Sequence, residues 1–292
     1  MPEPRFPEKR AVRRSFERAA STYDRHNVLQ CEIGLRLLKH FDPIRIEPAR
    51  LLDLGCGTGI FFDELRKRFP APQMVGLDIA HPMLERAAAR APWWRRALNL
   101  PRPGLVCGDA ENLPIATAST QLVFSNLALQ WCRPEAVFHE VARVLEPGGL
   151  FIFSTFGPDT LKELRSAFAA VDGYEHVSAF IDMHDLGDML MHAGLVEPVM
   201  EMEMITLEYS CVEAVARDLK AIGARNAQPG RPRGLAGRNL WKGVIAQYEK
   251  FRRDGALPAS YEVIYGHAWK SAPKRLPDGR QVIDFPRRRG AP

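Results

Sequence analysis

The sequence contains no run of 18 apolar residues, so no transmembrane helix is expected. Residues Met1 to Arg14 are charged and proline-rich, with no apolar h-region, and do not read as a secretory signal. Cysteine is scarce. Cys31, Cys56, Cys107, Cys132 and Cys211 are scattered, odd in number and never paired as C-x-x-C. Free thiols in a reducing compartment, and hence a cytoplasmic location, are expected. There is no internal repeat, no low-complexity tract and no obvious Cys/His or Ser/His constellation for nucleophilic catalysis. What is present is apolar material: 46% of 292 residues, enough for a core without disulfides or a structural metal. The net charge is +5 and the isoelectric point about 9.0. That balance suits an acidic partner (RNA, anionic lipid or an acidic carrier protein) or is only a basic surface.

Along the chain, Glu8 to Tyr23 reads as a helix because Val12, Phe16 and Ala19 fall on one face. A second helix is expected from Val28 to His40. Short apolar strands then alternate with helices: Leu51 to Leu54, Met74 to Leu77, Leu105 to Cys107, Gln121 to Ser125 and Leu150 to Thr155 as strands, with Ile60 to Phe69, Pro82 to Arg90, Pro134 to Leu145 and Thr160 to Ala170 as helices. Pro147-Gly148-Gly149 is expected to stop the helix before it. Repeated βα units with apolar strands imply a parallel sheet covered on both faces. Beyond these come helices at Asp185 to Ala193, Val212 to Ile222 and Leu240 to Phe251, and strands at Val199 to Tyr209 and Tyr261 to Ala268. A mobile Gly/Pro/Arg loop is expected at Arg225 to Arg238, and a basic, disordered tail at residues 273–292. The expected architecture is α/β and Rossmann-like, with seven strands, the last antiparallel, and a helical lid. Residues 1–48 would cap the site; 49–272 would be the main domain, with lid helices inserted at about 157–195 and 211–256.

The most informative run is Leu51-Leu52-Asp53-Leu54-Gly55-Cys56-Gly57-Thr58-Gly59. A strand ends at a glycine turn, and the next helix presents free N–H groups to a polar ligand. The spacing is not the dinucleotide G-x-G-x-x-G. An acid, Asp53, stands two residues before the first glycine, where it can receive the amino end of an amino-acid cofactor. Asp78 ends the second strand and can accept bonds from both ribose hydroxyls. Gly108-Asp109-Ala110-Glu111 follows the third strand, where an adenine amino group would lie, and Ser125-Asn126-Leu127 follows the fourth. Open α/β sheets bind ligands at these strand ends.

This set, from Ala49 to Phe156, resembles the class I methyltransferases. The resemblance implies S-adenosylmethionine, leaving as S-adenosylhomocysteine, held by Asp53, Gly55, Gly57, Asp78, Asp109 and Ala110. Cys56, Gly59, Ile79, Met83, Asn126 and Leu127 are expected beside it, with Tyr23 as a lid and Gln30 nearby. Further segments resemble the malonyl-acyl carrier protein O-methyltransferases of biotin synthesis. They are Phe16 to Asp24, Ser125 to Cys132, Phe153 to Phe156, His176 to Phe180, Asp218 to Ala224 and Tyr261 to Ala268, spread over Val12 to Trp269. One departure is Val177-Ser178, where the family pattern has an asparagine. This resemblance implies methylation of the free carboxylate of a malonyl thioester on an acidic acyl carrier protein, which disguises a charge so that the chain can be elongated toward pimeloyl thioester. Neither a membrane nor a nucleic acid partner is expected, and no metal.

A carboxylate, with a pKa near ~4, is ionised at neutral pH and needs no general base. The enzyme must align oxygen, methyl carbon and sulfur, which is worth roughly 7–11 kcal/mol. A cation should hold one carboxylate oxygen. Candidates are His176, Arg217 and Lys220. Arg225, Arg231, Arg233 and Arg238 could greet the carrier or its phosphopantetheine phosphate. Trp131 could pack beside the methionine end, and Trp93-Trp94-Arg95-Arg96 could touch a partner. Two other readings stand beside this one: methylation of RNA or a quinone-like ring, and a weaker resemblance to complex I assembly factors acting on a protein partner.

Overall fold

The computed structural model describes residues 6–70, 72–90, 102–227, 230 and 237–272. Among these, seven strands form one sheet. They are β1 (Arg50–Leu54), β2 (Gln73–Asp78), β3 (Gly104–Cys107), β4 (Thr120–Asn126), β5 (Leu145–Phe156), β6 (Leu195–Tyr209) and β7 (Leu257–Lys270). Their order is β3-β2-β1-β4-β5-β7-β6, and every pairing from β3 to β5 is parallel. β7 runs antiparallel between β5 and β6, as the sequence led one to expect of the last strand.

The central strands are apolar at successive positions because both faces are covered. In β1, Leu51 packs into one cluster and Leu52 into the other. The same alternation assigns Leu122 and Phe124 to one face and Val123 to the other, then Leu150 and Ile152 against Phe151 and Phe153. The first face carries α3 (Val28–Lys39), through Ile33 and Leu37, and α4 (Phe62–Arg68), through Leu65. The second carries α6 (Pro134–Val144), through Val137, Phe138 and Val141. The helix α5 (His81–Arg90) packs beside β2 and β3.

Three boundaries differ from the sequence reading for physical reasons. The first helix divides into α1 (Lys9–Ala19) and α2 (Tyr23–His26). Between them the Thr22 hydroxyl donates to Ala19 O at 3.1 Å and lies 2.9 Å from Ala221 O, competing with the helix ladder. β5 begins at Leu145, ahead of Pro147-Gly148-Gly149, so α6 has already ended at Val144 when that turn is reached. The turn makes a register break between the Thr120 and Leu122 pairings. β6 starts at Leu195, earlier than its alternation suggested, because a bulge between Val196 and Val199 interrupts the period.

Four more helices follow β5: α7 (Lys162–Ala169), α8 (Met183–His192), α9 (Val212–Ala221) and α10 (Arg238–Tyr248). α8 seals the second face through Leu186 and Leu190. α7 and α10 pack on each other, and α9 reaches α2. Trp93-Trp94-Arg95-Arg96, Arg231, Arg233 and the tail at 273–292 lie outside the described residues.

Phe153 shows how tightly the sheet is filled. It is fully buried, stacks on Phe151 at 4.9 Å, and faces Gly266 of β7, where a Cβ would come within 2.5 Å of its ring. Phe153→Ala is expected to cost roughly 3–5 kcal/mol, read as a lower urea midpoint with an unchanged denaturant slope.

Candidate active site

The tips of β1 to β5 converge on two cavities. The first, of about 680 Å³, is lined by Gly55, Gly57, Asp78, Ile79, Asp109, Ala110, Asn126 and Leu127, from strand ends or the turns that follow them, by Met83 of α5, and by Lys9, Phe16 and Tyr23 from the N-terminal helices. The second, of about 770 Å³, is lined among others by Gln30, Gln130, Thr160, His176, Arg225 and Tyr261. Phe16, Tyr23, Leu127 and Trp131 line both. The two cavities therefore meet across an aromatic and apolar wall, in which Phe16 sits edge-on to Trp131 at 5.3 Å.

The glycine bend has its shape for two reasons. Gly55 has φ +77°, and a Cβ there would come within 2.4 Å of Ala128 Cβ. Gly57 has φ +53°, and the space where its Cβ would project is open. A side chain at Gly57 would fill the cavity floor, and its absence lets a ligand approach the backbone. The Gly57 N–H donates to Asp78 Oδ2 at 3.0 Å, and the Ala80 N–H donates to Asp78 Oδ1 at 2.8 Å. Each of these oxygens retains a lone pair for a further donor.

Asp53 lies beneath the bend, 2% exposed, and its Oδ2 has no hydrogen-bond partner among the described residues. Burial, with the charge of Asp78 nearby, pushes its carboxyl up to about 8. Burial also pushes Asp78 up to about 6, against the pull of its backbone donors. A buried carboxyl group with an unpartnered oxygen beneath this bend is suited to a cationic ligand.

A family model described as a methyltransferase domain matches residues 52–153. The malonyl-acyl carrier protein O-methyltransferase of Gallionella capsiferriformans is 51% identical over 277 residues, 94% of this chain and 96% of that protein. The corresponding protein of Laribacter hongkongensis is 53% identical over 291 residues, 98% of each. The chain belongs to the malonyl-acyl carrier protein O-methyltransferase family. Among solved structures, the YcgJ protein of Bacillus subtilis superposes with a TM-score of 0.56 at 17% identity, covering 82% of this chain and 97% of that one. A methyltransferase of Thermotoga maritima gives 0.52 at 18%, covering 89% and 100%. At such identities they show the fold, a class I methyltransferase sheet.

Within this family member, the structure sorts the residues singled out in the sequence. Tyr23, Gly55, Gly57, Asp78, Ile79, Met83, Asp109, Ala110, Asn126 and Leu127 come together on the first cavity. Cys56 and Gly59 do not: the Cys56 thiol is buried against Gly76, and Gly59 packs on Phe62 and Ala87. They shape the bend and leave the wall to others. Gln30 lines the second cavity instead of the first. Asp53 underlies the floor and is not itself on the wall.

Of the candidate cations, Arg217 and Lys220 are exposed and line neither cavity. Their helix turns Leu219 inward and is followed by Ile222, which shares that wall. The apolar stripe Val212, Val215, Leu219 and Ile222 marks this inward face in the sequence. His176 does line the second cavity, but its Nε2 lies 2.8 and 2.9 Å from the two Asp172 carboxylate oxygens, and its ring stacks on Phe168 at 3.9 Å. Arg225 is the permanently charged side chain on that wall among the described residues, and it has no ion-pair partner there. The sequence reading passed over Lys9, whose ammonium pairs with Asp109 Oδ1 and lies 3.0 Å from Glu111 Oε1. Its position with Val12 and Phe16 on one helical stripe was the available signal.

Asn126 and Leu127 are rigidly set. Asn126 Nδ2 donates to Gln30 O at 3.0 Å, Ser154 Oγ donates to Asn126 Oδ1 at 2.7 Å, and Leu127 takes φ +51° with its N–H bonded to Ser154. A left-handed leucine at the junction of two cavities is a strained residue held by its surroundings.

The raised Asp53 carboxyl has a consequence for stability. Between about pH 4, where a carboxyl of the unfolded chain loses its proton, and about 8, the folded state holds more protons than the unfolded one. Stability from this group therefore falls as pH rises through that window. The melting temperature of the ligand-free protein is expected to fall from about pH 5 to about pH 8, and that of Asp53→Asn to fall less, as followed by circular dichroism.

Proposed function

We propose that this chain transfers the methyl group of S-adenosylmethionine to the free carboxylate of a malonyl thioester on an acyl carrier protein. The products are the methyl ester and S-adenosylhomocysteine. The observation that carries the reading is the shared wall of Phe16, Tyr23, Leu127 and Trp131 between an acid-floored cavity and a cavity bearing Arg225. The names of relatives about half identical over nearly the whole chain favour this acceptor over RNA, a quinone-like ring or a protein side chain. Masking the carboxylate as an ester allows ordinary chain elongation toward the pimeloyl thioester of biotin synthesis. Five free thiols fit a cytoplasmic setting, and no helix among the described residues is long and apolar enough to cross a membrane.

When bound in the first cavity, S-adenosylmethionine supplies an electrophilic methyl on a sulfonium centre. The buried Asp53 carboxyl group would favour its ammonium end, Asp78 would accept from the ribose hydroxyls, and Asp109 with Ala110 would hold the adenine. Tyr23 and the helices up to residue 48 cap it, and the helices at 157–195 and 211–256 close the acceptor side. Arg225 holds one acceptor oxygen as a charge-assisted hydrogen bond, leaving the other to point through the shared wall. No general base is required, because the acceptor is already ionised. The apolar wall of Phe16, Leu127 and Trp131 lies between the donor and acceptor cavities and narrows the approach of water to the methyl group.

The cap is tied down by a small network. Asp24, next to Tyr23, accepts from the Thr58 hydroxyl of the glycine bend at 2.5 Å and from Arg90 Nη2 at 2.8 Å, while Arg90 Nε donates to Thr58 O at 3.1 Å. Asp24→Asn is expected to raise the KM for S-adenosylmethionine roughly 3- to 10-fold with a smaller change in kcat, measured by methyl-label transfer.

The decisive assay offers labelled cofactor with malonyl or acetyl carrier protein. Label should enter the malonyl form alone; equal labelling of both removes the carboxylate as acceptor. Arg225→Gln is expected to raise the KM for malonyl carrier roughly 10- to 100-fold, to leave cofactor binding unchanged, and to recover in part as Arg225→Lys.

A further inference from the structure

We infer that the outer face of α1, continued by α2 and α9, is the docking surface for the acidic helical face of the acyl carrier. This rests on the carrier-borne substrate proposed above. Arg10, Arg14 and Arg18 are spaced i, i+4 and i+8, so they form one stripe along α1, about 12 Å long at 1.5 Å per residue. The stripe lies opposite the face that buries Val12, Ser15 and Ala19. All three arginines are exposed, and none has an ion-pair or hydrogen-bond partner among the described residues. Arg25 on α2 and Arg217 and Lys220 on α9 are likewise exposed and unpaired there.

These elements pack against one another behind the stripe. The Glu8 N–H donates to Ala227 O at 2.8 Å, and a Cβ on Gly223 would touch Phe16 and Ala19 at 3.1 Å, so the segment after α9 lies along α1. The Thr22 hydroxyl meets Ala221 O, and His26 lies 3.5 Å from Asp218. The same segment places Arg225 on the acceptor cavity, so α1 borders the side by which a tethered substrate would enter, with the stripe on its outer face.

The surface is unbalanced because its acids are already engaged. Glu17 bonds Arg13, Asp24 is held by Thr58 and Arg90, and Asp218 faces His26 and Tyr209. Exposed Glu213 stands one turn before Arg217 on the same face of α9 and is the one acid there without a partner among the described residues, so the excess positive charge rests on the α1 stripe, Arg25 and Lys220. Many arginines elsewhere come with acids: Arg36 with Glu32 and Glu203, Arg68 with Asp42, Arg133 with Glu111, Arg143 with Glu140, Arg252 with Glu249. Arg45, Arg86, Arg102, Arg238 and Arg253 are exposed without one among the described residues, but no two of them are spaced i, i+4 on one helix. Like charges at i, i+4 destabilise a helix, so the Arg10-Arg14-Arg18 stripe opposes folding of α1 and fits an anionic partner. A carrier must present its acyl arm at the cavity while its folded body stays outside, and an acidic helix lying along α1 does this.

The test uses the full chain with charge reversals away from both cavities, Arg14→Glu with Arg18→Glu, and a milder pair, Arg14→Gln with Arg18→Gln. Binding of holo-carrier without an acyl group is titrated calorimetrically, and methyl transfer is measured on malonyl carrier and on malonyl-pantetheine. The reversal should weaken holo-carrier binding and raise the carrier KM by about 10-fold or more at low salt, with a shallower salt dependence. The milder pair should fall between. The KM for malonyl-pantetheine and the affinity for S-adenosylhomocysteine should stay as in the wild type. Unchanged carrier binding in the reversal overturns the surface, as does an equal shift for malonyl-pantetheine, or an RNA hairpin that binds the wild type as tightly as the carrier does. Intact, charge-dependent carrier binding without methyl transfer sinks the acceptor assignment and leaves the surface standing.

Discussion

Two carboxylates buried at neighbouring strand tips organise this molecule. Asp53 is the last residue but one of β1 and Asp78 the last of β2, and the glycine bend folds over the first while its own amide reaches the second. Burying one ionised carboxylate is costly, and burying two side by side is costlier, since each raises the other's proton affinity. Backbone donors relieve Asp78, whereas Asp53 retains an oxygen with no partner among the described residues. The cradle thus favours a ligand that brings positive charge. A ligand with a cationic amino-acid end and a ribose diol meets that preference where the bend leaves room beside Gly57.

The rest of the site follows from how that cradle is closed. The N-terminal helices bring Lys9, Phe16 and Tyr23 across the strand tips. Each is tied to something the sheet presents: Lys9 to Asp109, Phe16 to Trp131, and the residue after Tyr23 to Thr58 in the bend. Closure and ligand cradle therefore share atoms. The acceptor side is closed by segments far along the chain, with Thr160, His176 and Arg225 gathered around Leu127 and Leu161. Both leucines hold left-handed backbones, at φ +51° and +54°, so irregular conformation concentrates where the two cavities meet.

A division of labour among cations also emerges. Lys9 offsets acids at the far end of the first cavity, and Arg225 stands alone on the second. The exposed arginines of α1 touch neither. Charges on a cavity wall and charges on an outer face act differently: the former fix geometry at short range, the latter act at the scale of a Debye length and guide encounter. One chain that must hold a small carboxylate and receive a large acidic carrier has use for both.

The alternation of strands and helices, the bend at Gly55–Gly59 and the acids at the strand tips were legible in the sequence, because each is encoded within a few neighbouring residues. Apolar period, positive φ and strand-end placement need no distant partner. The antiparallel last strand came from the resemblance to known methyltransferases and agrees with the β5-β7-β6 order. The direction of each polar side chain came only from tertiary structure. Arg217 and Lys220 stand outside because α9 turns Leu219 inward, Gln30 serves the second cavity because Asn126 holds its carbonyl, and Arg225 reaches that cavity because its segment is laid along α1. A helix pattern states which face is apolar; which cavity that face closes, and which charge is left beside it, depends on contacts between residues far apart in the chain, such as Thr22 with Ala221 and Glu8 with Ala227.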